Sequence, residues 1–180
     1  MKRITLRVSL CLILLNACSL PLTQTPPTLP ATEPPTSSSS IGNCGYQWAQ
    51  QDLPELSAEF QQAIQGLRPE AQASAFAFGE DCVYADGHAD FSAMETDFKV
   101  TFQIRDLSNE ADLGEWIVKV MQVVENIPRE KIVGPRPGRV SIGFQAGSEQ
   151  KFVNFYIDQY QTLPSGLSNS EIYQALQTPQ

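Results

Sequence analysis

A single histidine, His88, is all the imidazole this 180-residue chain contains. A serine triad would have to use it, and no Gly-x-Ser-x-Gly elbow is present to supply the nucleophile. There is no Walker loop and no Gly-x-Gly-x-x-Gly. Gly134-Pro135-Arg136-Pro137-Gly138 is no substitute, because its prolines remove the amide donors a phosphate cradle uses. Basic residues are scarce too: 12 Lys and Arg stand against 20 Asp and Glu, a formal charge of −8. That balance excludes nonspecific nucleic-acid binding, which needs a basic footprint. No apolar run approaches the roughly 20 residues of a membrane-spanning helix. The four cysteines include no Cys-x-x-Cys pair, which leaves no redox or zinc spacing.

What is present starts at the N-terminus. Lys2, Arg3 and Arg7 precede the short apolar run Val8–Leu15, and Ala17 sits just before Cys18. This is the layout of an export signal rather than of a folded element. Leu15-Asn16-Ala17-Cys18 resembles the lipobox of bacterial lipoproteins, a resemblance confined to residues 1–19. It implies a diacylglycerol on the Cys18 sulfur, cleavage before Cys18 and acylation of the new amino group. In a diderm envelope with enteric-type sorting, Ser19 would direct the protein to the outer membrane. The alternative is an ordinary secretory signal, with Cys18 incidental. Two or more acyl chains hold a protein stably on a bilayer, where one holds it only marginally. The expected location is therefore the cell membrane or outer membrane, with the domain on the extracytoplasmic side.

Removing residues 1–17 takes away three basic residues and no acid, leaving 9 basic against 20 acidic side chains, formally −11. Such a surface disfavours broad contact with anionic headgroups. Cys44 and Cys82 remain in a compartment where disulfides persist, and they are expected to pair.

Residues 18–43 are read as a lipidated, disordered tether rich in Pro, Thr and Ser, with no hydrophobic period. At about 3.1 Å per residue, the 25 residues after Cys18 reach roughly 78 Å at most. Residues 44–180 are expected to form one domain.

Within that domain, Leu53, Leu56, Phe60, Ile64 and Leu67 mark a helix over 52–67, with Asp52 and Glu55 at capping-box spacing. A strand is expected over 71–78 and an irregular excursion over 79–95, with Asp86-Gly87 as a turn. Strict alternation of Phe98, Val100, Phe102 and Ile104 with polar residues predicts a strand over 97–105. A second helix is expected from Glu110 to about Asn126, two strands over 139–146 and 151–159, and a closing helix over 168–177 with Ser168 and Glu171 as a capping box. The order helix-strand-strand-helix-strand-strand-helix predicts an α+β two-layer sandwich. In it, a four-stranded, mostly antiparallel sheet carries helices on one face, as in a permuted ferredoxin-like fold.

Candidate chemistry is thin. Asp86, His88 and Asp90 form an oxygen-rich loop with one imidazole, but the EF-hand count fails because Phe91 and Asp97 fall where Gly and Glu are needed. No cofactor and no catalytic residue are assigned. Two surfaces stand out. One is the basic loop of Arg129, Glu130, Lys131, Arg136 and Arg139, which sums to +3. The other is the sheet face away from the helices, with Lys99, Thr101, Gln103, Arg105, Ser141, Gln145, Phe152, Asn154 and Tyr156. Arg129, Lys131 and Arg136 of the loop are candidates to dock an anionic partner, and Phe152 and Tyr156, unusual on their face, are either contact residues for a partner or covered by residues 79–95, with cover the expectation. The function expected is non-catalytic binding or a structural role in a bacterial envelope, toward an envelope protein or glycan. The alternatives are an envelope hydrolase using paired carboxylates, or a small-ligand or metal sensor or carrier.

Overall fold

The computed structural model describes residues 44–177. The expected export signal, Cys18 and the expected tether lie outside the described residues. The elements in chain order are β1 (Gly45–Asp52), α1 (Pro54–Leu67), β2 (Gln72–Val83), β3 (Ala89–Gln103), α2 (Glu110–Glu125), β4 (Arg139–Ala146), β5 (Glu149–Tyr156), α3 (Ile157–Gln161) and α4 (Asn169–Gln177), with one 3-10 turn at Arg129–Lys131.

The expectation of a four-stranded, mostly antiparallel sandwich with permuted ferredoxin-like topology is overturned. The sheet has five strands in the order β1-β2-β3-β4-β5, is mixed, and curls into a half-barrel. Two features account for the difference. The expectation lacked β1, a strand exposed along nearly its whole length. The β3-α2-β4 connection is also a helical crossover, which returns the chain parallel to β3. The other three pairings are antiparallel.

Residues 79–95 are likewise not an irregular excursion. They are the outer part of a long β2–β3 hairpin, closed by a turn in which the Tyr84 amide donates to the His88 carbonyl. Gly87, at φ +90°, supplies the left-handed residue that turn needs. A bulge separates the Phe78↔Glu95 pair from the Gly79↔Ala93 pair and leaves Met94 unpaired.

The core lies on one face of the sheet. Phe98, Val100 and Phe102 of β3 and Val140, Ile142 and Phe144 of β4 meet Leu56, Phe60 and Ile64 of α1. Leu113, Ile117, Val120 and Met121 of α2 and Tyr173 and Leu176 of α4 close it. Helix α1 does more than cover. Where β1 has ended, it closes the edge of β2 with side chains. Ser57 Oγ donates to the Ala75 carbonyl and accepts from the Ala75 amide, at 2.8 and 2.9 Å. The Gln61 amide nitrogen donates to the Ala71 carbonyl while its oxygen accepts from the Ala73 amide. Its start differs from the sequence reading: Leu53 is the N-cap and makes no side-chain cap, so Asp52 belongs to β1. At α4 the capping box forms as expected, with the Ser168 amide donating to Glu171 at 2.8 Å.

Cys44 and Cys82 form a disulfide, with Cα atoms 5.2 Å apart. It ties the first residue before β1 to the far end of β2, beside the Tyr46↔Cys82 pair.

Candidate functional site: the open sheet face

Alternation along each strand sends one set of side chains under the helices and the other to the opposite face. On β3 the inward set includes Thr96, Phe98, Val100 and Phe102, and the outward set Glu95, Asp97, Lys99, Thr101 and Gln103. Registration places Phe78 opposite Glu95 and Phe76 opposite Asp97 on the β2 side. On the far side Lys99 faces Ser141, and Arg139 of β4 faces Tyr156 of β5.

Glu95 and Asp97 are 5% and 8% exposed although they point away from the core. The chain ahead of β4 explains this. Residues 132–139 run along the part of β3 that β4 does not reach. The Arg136 amide donates to the carbonyl of bulged Met94 at 3.1 Å. Thr96 Oγ1 donates to the Val133 carbonyl and accepts from the Val133 amide, both at 2.9 Å. The Arg139 amide donates to Asp97 Oδ1 at 2.7 Å. Gly134, at φ +84°, and Gly138 allow this approach, because a Cβ at either would overlap the backbone of Met94 or Thr96.

Burial raises the pKa of Glu95, helped by the nearby Asp97 charge and opposed by Arg136 and Arg139. Burial also raises that of Asp97, opposed by its hydrogen bond from the Arg139 amide. Arg136 Nε lies 3.7 Å from Glu95 Oε2, at the limit of an ion pair. The Arg139 guanidinium donates to the Tyr156 hydroxyl at 2.8 Å and sits 4.9 Å from a Tyr156 ring centroid. That hydrogen bond is the main reason the Arg139 pKa is raised.

The expected cover over Phe152 and Tyr156 is absent. Both are exposed, at 52% and 37%. Residues 79–95 cannot lie over them, because those residues are strands of the same sheet. The basic loop is divided. Arg129 turns back to the Ile132 and Gly134 carbonyls, and Lys131 pairs with Glu59 of α1. Arg136 and Arg139 reach the open face. Arg129 and Lys131 therefore hold the loop, while Arg139, Tyr156 and Phe152 belong to the surface.

Asp86, His88 and Asp90 are not gathered into a ligand set. His88 Nδ1 meets Asp86 Oδ1 at 2.5 Å, and its ring stacks on Tyr84 at 4.1 Å. Asp90 acts instead on Tyr84, whose pKa it raises. Among the described residues no group of three or more His, Cys, Asp or Glu side chains is placed to hold a metal ion.

Sequence reasoning missed a second part of this face. Trp48 of β1 stacks on Phe78 of β2 with centroids 5.4 Å apart, yet is 64% exposed, and Tyr46 is 74% exposed. The alternation of Tyr46 and Trp48 was the available signal. For Glu95 and Asp97, the 97–105 alternation carried back toward the turn gives only the outward direction and no sign of their burial. No family model matches this chain, and no curated protein or solved structure matches it.

Proposed function

We propose that the chain is a lipid-anchored extracytoplasmic domain of a bacterial envelope with a non-catalytic binding role, and that the open sheet face is its contact surface. The observation that carries the binding role is the exposure of Phe152 and Tyr156 on the sheet face away from the helices. Aromatic side chains of this kind supply large contact area at small entropic cost and are enriched where partners dock. Arg139 holds the Tyr156 ring in place by hydrogen bond and cation–π contact, so the surface is preorganised. The Cys44–Cys82 disulfide supports the compartment. The anchor rests on Cys18 and its lipobox-like context.

Two measurements test this. In cells fed labelled palmitate, the full chain is expected to take up label and Cys18→Ser is expected to take up none; equal labelling overturns the anchor. A photo-crosslinking residue at position 152 is expected to give a discrete adduct in cells, which Tyr156→Ala weakens. Absence of any adduct overturns the surface.

One observation favours a second reading, an envelope hydrolase using carboxylates. Glu95 and Asp97 are two buried acids at adjacent outward positions of one strand, and their pKa values are pushed up as a general acid requires. Turnover of isolated cell-wall glycan that disappears in Glu95→Gln would establish that reading in place of the first.

A further inference from the structure

The sheet has a second surface of a different kind, the outer edge of β1. Among the described residues, β1 pairs with β2 along all eight of its positions and with no strand on its other side. An edge strand presents a row of free backbone donors and acceptors, and proteins usually blunt it with lysine, proline, a bulge or brevity. The stretch Gly45-Tyr-Gln-Trp-Ala-Gln-Gln-Asp52 has none of these. It contains no lysine or proline, its register is unbroken, and its only charge is the terminal Asp52.

The contrast within the same sheet is informative. The open part of β2 is closed by Ser57 and Gln61. The open part of β3 at 94–97 is closed by residues 132–139. The other sheet edge, β5, begins with Glu149 and carries Lys151 in its sequence. Among the described strands only β1 combines length, regular register and absence of protecting residues, and the Cys44–Cys82 disulfide fastens the residue that precedes it.

Charge indicates the occupant. Residues 44–98, which contain β1, α1, β2 and the whole of the outer hairpin, hold ten Asp and Glu and one Arg or Lys, Arg68. Residues 99–180 hold nine acids and eight basic residues. The negative charge therefore sits almost entirely on the half that carries the open edge. Two such edges from two copies would bring together two regions of like net charge, which disfavours self-pairing. A strand added beside β1 would place alternate side chains next to Tyr46 and Trp48, with Glu80 directly behind Trp48 in register. An exposed indole backed by a carboxylate favours a cation.

We infer that the outer edge of β1 is a strand-addition site for an extended, Lys- or Arg-rich segment of another protein. Main-chain hydrogen bonds would supply most of the affinity. Cation–π contact at Trp48 and Tyr46, together with the acidic field, would supply the selectivity for basic side chains. The inference rests on reading the domain as a binding module, but it assigns a site and a partner chemistry that the Phe152–Tyr156 surface does not.

The test uses the purified full chain and a labelled nine-residue peptide alternating lysine and valine, read by fluorescence anisotropy. Saturable binding is expected, weakened about tenfold by Trp48→Ala, which removes an exposed ring. A glutamate–valine peptide is expected not to bind. N-methylation of alternate peptide amides is expected to abolish binding in one phase and spare it in the other, because a strand pairs with β1 along one edge only. No binding at about 1 mM overturns the inference, as does equal binding of both methylated phases, which would mean charge attraction without strand pairing. Sedimentation showing a dimer that Trp48→Ala dissolves would also overturn it, by assigning the edge to a second copy. Failure of the peptide leaves the crosslinking result at position 152 untouched, and glycan turnover is read in a separate assay, so the two proposals fail separately.

Discussion

Glu95 and Asp97 are the least comfortable residues of the domain. Both are buried acids with raised pKa values. A raised folded-state pKa means that the folded chain binds more protons than the unfolded one between the ordinary carboxylate value and the raised one. Their contribution to stability is therefore present below the unfolded pKa and is lost as pH rises through the folded pKa. Glu95→Gln and Asp97→Asn should raise the melting temperature at pH 7 relative to the parent and lose that advantage at pH 4. A melting temperature that falls at pH 7 and is restored at pH 4 would show that the charged forms are stabilised by Arg136 and Arg139 after all. Neither acid was legible as special in the sequence. Twenty acids offer many pairs, and only the bulge at Met94 and the loop at 132–139 single these two out. Phe152 and Tyr156 were legible, because alternation alone placed them among polar neighbours. Their exposure was not, since it depends on where residues 79–95 go.

At the scale of elements, the features that close the edges and seams should be costly to remove. Ser57→Ala leaves the Ala75 amide and carbonyl without their side-chain partner and is expected to cost about 1–3 kcal/mol in chemical denaturation. A loss below a few tenths would mean that water replaces the hydroxyl there. Gly114 of α2 lies against the Asn169 carbonyl at the start of α4, close enough that a Cβ would overlap it. Gly114→Ala is expected to cost about 1–3 kcal/mol by forcing the helices apart, despite alanine's better helix propensity. A stabilised variant would show that α4 yields freely. Elements with a buried stripe were readable: α1, α2, α4, β4 and the inner half of β3 fall near where periodicity puts them. Strand β1 was not, because both its faces are largely exposed and hydrophobic period reports burial. The 79–95 hairpin escaped for the same reason. It extends past the helices, and its small and acidic residues carry no apolar alternation.

For the whole molecule, the disulfide and the charge distribution act on the same half. The bond closes a loop with a sequence separation of 38, so its loss through Cys44→Ser with Cys82→Ser should cost roughly 4 kcal/mol in the chain-entropy picture. Because it fastens β1, hydrogen exchange should rise first in residues 45–52, ahead of β3 and β4. Uniform loss of protection would make the bond a global rather than an edge staple. The amino-acid sequence alone determined the periodicity of the buried elements, the cysteine pairing, the acidic balance and the lipobox-like Cys18 context, because each depends on residue type and short spacing. The tertiary structure alone decided that the sheet has five strands, that β3 and β4 run parallel, that Glu95 and Asp97 share a covered corner, and that β1 keeps an open edge. Those depend on which distant segment lies beside which. Backbone hydrogen bonding is the same for every sequence, so only the packing of the whole chain chooses the partners.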